Sequence, residues 1–365
     1  MKILHYINNL GSGGAEKLLT DILPLLEKKG HEVHLLVSNH HKSVPKFQEI
    51  VQTSNVHCID LGYSFYNPFQ VLSLIKVIRK NNYDIVHAHL FPSQYWLAFA
   101  SFFISKKVRY IKTEHSVYNE RKSINLLRYL EKMVYSRYHR IIAITDLVKA
   151  NLSEWLNEDE KIVVIENGVN LSQMQSIKDS DLDGVKIVIS QNNFSILMVG
   201  RFDADQQKDQ QSLVDAMKFL PTDCKLYLVG EGENIENVRQ SVRDQQLEER
   251  VVFLGLRTDV YQLMKAVNLN VLSTNHEGLS GVALESLASG TPFIGSNVVG
   301  VKDVVPNEEF LFPPKNPREL ATKILQIKND KELENKLVSV ATEFITKYDI
   351  SNMVENYLNL YKSVL

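Results

Sequence analysis

Cysteine is nearly absent from this 365-residue chain, which contains only Cys58 and Cys224. The two residues lie far apart and have no partners at the spacing of a metal site. The sequence therefore excludes a disulfide framework and a cysteine-based zinc site. We expect two buried thiols in a reducing compartment.

Long apolar runs are missing as well. The longest run, residues 95–104, is interrupted by Ser101 and is far too short to span a bilayer as a helix. The apolar run within residues 1–7 is too short for a signal peptide. We expect a cytoplasmic protein without a transmembrane segment and without a nucleic-acid partner.

A large net charge is also missing, since the formal charge is −2, but the charge is unevenly distributed. Residues 1–170 carry 21 basic and 16 acidic side chains, whereas residues 171–365 carry 20 and 27. Residues 106–140 contain ten basic residues but only three acidic ones, Glu114, Glu120 and Glu131. The basic residues are Lys106, Lys107, Arg109, Lys112, Arg121, Lys122, Arg128, Lys132, Arg137 and Arg140.

Apolar residues recur at helical spacing inside this basic segment, at Ile124, Leu127, Leu130, Met133 and Val134. One interpretation is a basic amphipathic helix that lies on an anionic membrane surface, on the inner face of the cell membrane. The other is that the apolar stripe is a core face and the charges are its solvated back. The sequence leaves both open.

Short apolar runs alternate with helical stretches along the chain, which predicts an α/β protein with parallel sheets covered on both faces. The predicted strands are residues 2–7, 32–38, 84–88, 108–113, 140–144, 162–165, 195–199, 225–229, 251–254, 269–272 and 292–294. Residues 170–193 have scattered charge and no clear period, and we expect them to contain a linker. The predicted domains are 1–170 and 171–348, with an amphipathic helix over 349–365.

The second half contains residues suited to an anionic diphosphate. Gly200 and Arg201 follow a predicted strand, with Lys208 downstream, and Glu277 and Glu285 stand eight residues apart. A helix is predicted over 282–289, so that backbone N–H groups at its amino end favour an anion. Those N–H groups belong to Gly278, Leu279 and Ser280.

These residues resemble the large family of retaining, nucleotide-sugar-dependent glycosyltransferases whose signature is Glu, seven residues, Glu. The loop over residues 8–16, which includes Gly13 and Gly14, is similar to the family's glycine loop, and Asn167-Gly168-Val169 matches its tripeptide before the linker. The resemblance extends over nearly the whole chain. It implies the GT-B fold, in which two Rossmann-like, doubly wound domains face each other across a cleft and the last helix packs back on the first domain.

The resemblance also implies roles for individual residues. Arg201 and Lys208 would bind the donor diphosphate, Glu285 the ribose, and Glu277 would lie beside the transferred sugar. The spacing from Arg201 to Lys208 is seven residues, whereas the family usually has five. Gly13 and Gly14 would face the donor phosphates.

Histidines follow two predicted strands of the first half. His115 resembles the family histidine that reaches the sugar and the acceptor. Of His87 and His89, we expect only one, His89, to face the site. Arg257 follows a strand of the second half, where it lies against the nucleotide base in one interpretation and is an exposed arginine in the other.

No metal is expected. An Asp-x-Asp pair closely follows a predicted strand at Asp203-Ala204-Asp205, in the predicted phosphate loop, where we expect solvated side chains. The cationic donors would stabilise the leaving diphosphate instead. No cofactor is predicted beyond the donor substrate, a UDP-sugar or, as the weaker alternative, a GDP-sugar.

The sequence thus predicts a hexosyltransferase that is retaining and metal-independent and that is peripheral to the membrane if the basic segment binds lipid. The expected acceptor is a glycan or a lipid-linked sugar in cell-surface polysaccharide synthesis. The alternatives are a nucleotide-sugar epimerase or a phosphorylase on a related fold, and a non-catalytic sugar-binding protein.

Overall fold

The computed structural model describes residues 1–11, 13–43, 54–116, 125–189 and 192–365. The chain forms two compact units, Met1–Gly168 together with Ile350–Leu365, and Val169–Asp349. The predicted domain boundaries differ from this division by one or two residues.

The first unit is built on a parallel sheet of seven strands in the order β3-β2-β1-β4-β5-β6-β7. Its strands are β1 (Lys2–Ile7), β2 (Glu32–Val37), β3 (His57–Asp60), β4 (Ile85–His89), β5 (Arg109–Glu114), β6 (Arg140–Ala143) and β7 (Ile162–Val164). Its helices are α1 (Gly14–Lys28), α2 (Gln70–Asn81), α3 (Ser93–Ser101), α4 (Asn125–Ser136) and α5 (Asp146–Leu156).

The second unit contains a parallel sheet of six strands in the order β10-β9-β8-β11-β12-β13. Its strands are β8 (Phe194–Val199), β9 (Cys224–Val229), β10 (Val251–Gly255), β11 (Leu269–Leu272), β12 (Phe293–Ser296) and β13 (Leu311–Phe312). Its helices are α6 (Leu171–Ser176), α7 (Asp183–Val188), α8 (Gln210–Ala216), α9 (Ile235–Asp244), α10 (Val260–Ala266), α11 (Gly281–Ala288), α12 (Pro317–Asn329) and α13 (Lys331–Phe344). The last helix of the chain, α14 (Ile350–Val364), belongs to the first unit.

Both sheets start at a central strand, grow outward on one side and then continue on the other, which is the doubly wound arrangement of Rossmann-like domains. Helices pack on the faces through apolar stripes; α1, for example, buries Leu19, Ile22, Leu23 and Leu26 at helical spacing. The predicted α/β class with two Rossmann-like domains is confirmed.

Two of the strands were not predicted from the sequence. Strand β3 is an edge strand whose residues are mostly exposed, so it has no apolar run, and β13 has only two residues. Exposure of β3 also explains why one thiol prediction was wrong: Cys58 lies on this strand and is exposed, whereas Cys224 is buried as expected.

The segment predicted to contain a linker is folded in large part. Helices α6 and α7 lie within it, and Met174, Val185 and Ile189 are buried in the core of the second unit. Charged residues lie between its apolar residues, and the helices are short, so the sequence shows no clear helical period there. None of the described helices combines the length and the apolar content needed to cross a membrane.

Candidate active site

The carboxyl edge of the second sheet collects the predicted donor-site residues. Strand β8 ends at Val199, directly before Gly200 and Arg201, and β11 ends at Leu272, directly before the loop that contains Glu277. Because these strands are parallel neighbours, both loops emerge at the same edge of the sheet, where open α/β sheets bind ligands.

Lys208 joins the two loops. Its backbone forms an isolated antiparallel bridge with Thr274, and its ammonium group forms an ion pair with the carboxylate of Glu277. Its side chain also packs on Gly200, where a Cβ atom would come within 3.1 Å of Lys208 Cγ. The structure therefore brings the loops after β8 and β11 together at Lys208.

Glu277 is 8% exposed. The hydroxyl of Thr274 donates a hydrogen bond of 3.0 Å to Oε1 of Glu277, in addition to the ion pair with Lys208. A buried carboxylate is stable only when such partners replace water. Gly300 lies so close to the backbone of Glu277 that a side chain there would overlap it, and its φ of +81° also favours glycine.

Helix α11 begins at Gly281, one residue before the predicted start. Ser280 is its N-cap, and the hydroxyl oxygen of Ser280 accepts from the N–H of Ala283 at 3.4 Å. The prediction that the Ser280 N–H faces an anion was wrong, because this group donates to the carbonyl of Gly300 at 3.0 Å. Within the described part of the chain, the N–H groups of Gly278 and Leu279 have no hydrogen-bond partner.

The other predicted donor residues in the second unit have partners of their own. The guanidinium of Arg201 is 60% exposed and forms an ion pair of 2.8 Å with Asp203. Glu285 lies in the second turn of α11, where the hydroxyl of Tyr261 donates to it at 3.4 Å. Arg257 is held by Asp259 through two hydrogen bonds of 2.9 and 2.6 Å, which fixes its orientation after β10.

A second glycine loop at the same edge was missed. Gly230 and Gly232 follow β9 with φ values of +138° and +154°. A side chain at Gly230 would overlap the carbonyl of Gly200, and one at Gly232 would overlap the carbonyl of Phe202. The two glycines therefore let the loop after β9 press against the loop that carries Arg201. The signal was present as a Gly-x-Gly directly after a predicted strand.

In the first unit the carboxyl edge is lined by histidines. Nδ1 of His5 lies 3.0 Å from Nε2 of His89, and Nδ1 of His89 lies 3.5 Å from Nε2 of His115. His87 packs on both His5 and His89. We call these four residues the histidine cluster.

His87 and His89 lie on the same face of the sheet, and the expectation that His89 is the one facing the site stays a prediction. Residues two apart on a strand point to the same face, so both imidazoles lie beside His5. The two differ in their partners: His87 is hydrogen-bonded to the hydroxyls of Tyr361 and Thr113 at 2.7 and 2.8 Å, whereas His89 reaches His115.

Burial keeps the histidine cluster neutral near pH 7. It lowers the pKa of His5 to about 3 and that of His115 to about 4. The pKa values of His87 and His89 also lie well below the ordinary value, first through burial and then through the neighbouring imidazoles. A neutral imidazole offers one donor and one acceptor, which suits contact with a sugar hydroxyl at His115.

The ring nitrogens of His5, His87 and His89 lie within 4.8 Å of one another, a donor set that Zn²⁺ accepts elsewhere. Here His87 uses both nitrogens for hydroxyls, and His5 and His89 bond to each other. Nε2 of His5 is buried without a partner among the described residues. The absence of a metal requirement stays a prediction.

The glycine loop of the first unit leads directly into α1. Gly13 is the N-cap and Gly14 the first helical residue, and a side chain at Gly13 would overlap the carboxylate of Glu16. Ser12 lies outside the described residues.

The basic segment 106–140 does not form one solvated face. Lys112 is fully buried, where it pairs with Glu114 at 2.9 Å and donates to the hydroxyl of Tyr135 at 2.7 Å. Arg128 donates to the carbonyl of Trp155 at 2.8 Å. The predicted apolar stripe is divided, since Val134 is buried and Met133 is 41% exposed. Arg121, Lys122 and Ile124 lie outside the described residues.

Comparison with known families finds a match in each half. Residues 12–173 match the model described as Glycosyltransferase Family 4, and residues 193–330 match the model described as Glycosyl transferases group 1. The second match contains Arg201, Lys208, Glu277 and Glu285.

Similar proteins have been named in several bacteria. The chain is 26% identical to the N-acetyl-alpha-D-glucosaminyl L-malate synthase of Bacillus anthracis, over 97% of this chain and 94% of that protein. It is 28% identical to an Escherichia coli enzyme named UDP-Gal:alpha-D-GlcNAc-diphosphoundecaprenol alpha-1,3-galactosyltransferase, over 80% of this chain and 78% of that protein.

Among solved structures, the fold is similar to that of Anabaena HepE in complex with UDP and glucose. The TM-score is 0.86 at 21% sequence identity, and all of both chains is covered. A glycosyltransferase from Rickettsia africae gives a TM-score of 0.85 at 22% identity, over all of this chain and 98% of that one.

Proposed function

Because this chain belongs to the family 4 and group 1 glycosyltransferases, we propose that it moves a hexose or an N-acetylhexosamine from a UDP-sugar to a glycan or lipid-linked acceptor, with retention of configuration. The observation that carries the proposal is the buried Lys208–Glu277 pair, which joins two loops at the carboxyl edge of a Rossmann-like sheet. The predicted GT-B fold is confirmed by the two doubly wound units and by their structural neighbours.

The donor diphosphate binds beside Lys208 in this proposal. The ammonium has three N–H donors, so one can hold Glu277 while the others bind phosphate oxygens. The N–H groups of Gly278 and Leu279 add neutral donors at the start of α11, whose dipole favours an anion. The guanidinium of Arg201 is exposed, and in this proposal it exchanges Asp203 for a phosphate oxygen.

Transfer breaks the bond between the anomeric carbon and the diphosphate oxygen and forms a bond to the acceptor oxygen. Negative charge grows on the leaving diphosphate, and the donors around Lys208 stabilise it. The acceptor hydroxyl attacks from the face of the leaving group and gives its proton to the departing phosphate. Glu277 orients the donor sugar, Glu285 accepts from the ribose hydroxyls, and no metal ion is required.

A lipid-linked acceptor is supported by the names of relatives. The Escherichia coli enzyme is named for a diphosphoundecaprenol acceptor, and so is a Campylobacter jejuni enzyme that is 26% identical over 84% of this chain and 83% of that protein. Helix α4 offers Tyr129, which is 76% exposed, and Met133 for contact with a bilayer. In flotation with liposomes, we expect recovery to rise with anionic lipid; equal recovery without it contradicts membrane binding.

The experiment that tests the reaction is release of nucleoside diphosphate from a panel of UDP- and GDP-sugars with glycan acceptors. We expect turnover with a UDP-sugar and its loss in Glu277→Ala and Arg201→Ala. Glu236→Ala is the matched control, because Glu236 is exposed on α9 and pairs only with Arg239 among the described residues. Activity that persists in chelator supports metal independence, and the anomeric proton coupling of the product tests retention.

The alternatives give different outcomes in the same assay. An epimerase interconverts the donor sugars without releasing UDP, and a phosphorylase depends on added phosphate. A sugar-binding protein binds UDP-sugar without turnover. Any of these results overturns the proposal.

A further inference from the structure

A cavity lies in the first unit, at the edge of the sheet opposite the histidine cluster. It has a volume of about 570 Å³. Arg109 and Arg140 are the first residues of β5 and β6, and Lys161 directly precedes β7. Because the three strands are parallel, their amino ends place these side chains together. Lys106 and Arg137 complete the set, and we call the site the basic cavity.

The charge of the basic cavity is not balanced. Its lining contains five cationic side chains and no carboxylate. Within the described ranges none of the five forms an ion pair; the contacts they make are to neutral groups. Arg137 donates to the hydroxyl of Ser101 at 2.9 Å, and Arg140 donates to the carbonyl of His139 at 2.9 Å. Cations gathered without a counter-charge repel one another, so an anion in the cavity would relieve a cost that the fold otherwise bears.

Two buried donors in the lining lack partners. Tyr110 is 4% exposed, and its hydroxyl has no hydrogen-bond partner among the described residues; the same is true of Nε of Arg109. Buried polar groups are almost always satisfied, so each exception needs an explanation such as an absent ligand or water.

His139 adds a third donor. The backbone N–H of Tyr110 donates to Nδ1 of His139 at 3.0 Å, so the neutral ring carries its proton on Nε2. Nε2 in turn lies 3.4 Å from Nη1 of Arg109, which is also a donor. Nε2 of His139 and Nη1 of Arg109 cannot hydrogen-bond to each other when both are donors, so an acceptor between or beside them would satisfy both. Burial and the charge of Arg109 lower the pKa of His139, as expected for an imidazole held among cations.

We propose that the basic cavity binds a phosphate-bearing anion with at least two negative charges, a phosphomonoester or a diphosphate, separately from the donor site of the second unit. Guanidinium groups bind phosphate through two parallel hydrogen bonds, and three of the five cations are arginines. The volume is in the range of small-molecule pockets and leaves room for an organic group attached to the phosphate.

The test uses His139 as a local reporter, because the donor site of the second unit also binds diphosphate in our account. In the full chain with isotope-labelled histidine, the His139 resonance is assigned with His139→Gln and followed by NMR during titration with inorganic pyrophosphate. We expect a saturable shift of this resonance and a raised pKa of His139, because an anion stabilises the imidazolium.

Two variants decide whether the cavity is responsible. Arg140→Gln and Lys161→Gln should each weaken the response about tenfold, since each removes one charge-assisted hydrogen bond. Lys149→Gln is the matched control, because Lys149 lies on α5 and pairs with Asp159 at 3.5 Å, outside the cavity. Thermal unfolding confirms that the variants are folded. A His139 resonance that does not shift with pyrophosphate overturns the proposal. So does an equal loss of pyrophosphate affinity in the Lys149→Gln control.

The phosphate group can belong to a soluble metabolite or to a lipid headgroup. Two competition experiments, each against bound pyrophosphate, distinguish these sources. Vesicles of phosphatidylcholine with phosphatidic acid should displace pyrophosphate from the cavity if the ligand is a lipid. Glucose 1-phosphate should do so, and the vesicles should not, if the ligand is soluble. Failure of both competitors contradicts an organic phosphate ligand.

Discussion

At the scale of single residues, the proposed donor site depends on the pairing of Lys208 with Glu277. The two residues are 69 positions apart in sequence, and the pair is largely buried, with the Lys208 and Glu277 side chains 13% and 8% exposed. Ion pairs of this kind need good geometry to repay the loss of water, and here Thr274 supplies an additional donor. The pair therefore fixes the carboxylate in one position and leaves the remaining ammonium protons for a ligand.

Lys208→Ala tests this residue. We expect kcat/KM for the donor to fall between about a hundredfold and a thousandfold, as for the loss of one preorganised donor to developing charge. Lys218→Ala is the control, because Lys218 is exposed and pairs with Asp215 at 3.5 Å. Steady-state kinetics measure both, and equal, small effects in the two variants would contradict a role for Lys208.

His5 gives a residue-scale prediction for pH. Its pKa is about 3 in the folded protein because of burial, against an ordinary value of 6.5. Between pH 6.5 and 3, His5 is therefore protonated in the unfolded chain but neutral in the folded chain. The free energy of unfolding decreases as the pH falls through this range. Between the two pKa values, each such histidine changes the free energy of unfolding by about 1.4 kcal/mol per pH unit. Its contribution to stability is fully present above pH 6.5.

Urea unfolding at a series of pH values between neutral and acidic measures this slope. We expect His5→Gln to unfold with a weaker pH dependence than the wild-type protein, since one buried imidazole is removed. His41→Gln serves as the control, because His41 is exposed. The same slope in all three proteins would show that His5 does not carry the effect.

At the scale of elements, the glycine loop after β9 positions the loop after β8. Gly230→Ala places a Cβ atom on the carbonyl of Gly200, at a φ of +138° that alanine rarely adopts. We expect a loss of at least about 2 kcal/mol in the free energy of unfolding and weaker UDP binding, because the Arg201 loop must move.

Gly281→Ala is the matched control for this prediction. Gly281 is the first residue of α11 and has open space where its Cβ would lie. Alanine there should leave stability unchanged or raise it by up to about 1 kcal/mol, since alanine favours the helix. Chemical unfolding followed by circular dichroism compares the two, and equal stabilities would refute the proposed contact.

Elements buried on both faces were predicted well from sequence. Strands β1 and β11 are short, largely apolar and buried, and their bounds were predicted to the residue. The edge strand β3 lacked that signal because water covers most of its side chains. The donor-site residues were proposed from motifs in the sequence, and their roles stay predictions. The Lys208–Glu277 pair was not predicted, because it depends on how two distant loops fold against each other.

At the scale of the whole molecule, each unit has a core of its own, and the last helix belongs to the first unit. Helix α14 buries Met353, Val354, Tyr357, Leu358 and Tyr361 in that core. Tyr361 connects the helix to the histidine cluster, since its hydroxyl is hydrogen-bonded to His87 at 2.7 Å. The first Rossmann-like domain is thus completed by residues that follow the second in the chain.

Tyr361→Phe tests this connection. The change leaves one nitrogen of His87 without its partner in a fully buried site, and we expect a loss of about 1–3 kcal/mol in the free energy of unfolding. Tyr66→Phe removes a hydroxyl from a side chain that is 68% exposed and should change stability little. Calorimetry on both variants makes the comparison, and a neutral Tyr361→Phe would contradict the assigned hydrogen bond.

The most direct test of the central claim is a crystal structure of the protein with UDP bound. We expect the diphosphate to lie about 3 Å from Nζ of Lys208 and from the backbone N–H groups of Gly278 and Leu279. We also expect the Arg201 guanidinium to be turned from Asp203 towards a phosphate oxygen. A diphosphate bound away from the start of α11, with the Lys208–Glu277 pair untouched by the nucleotide, would contradict the central claim.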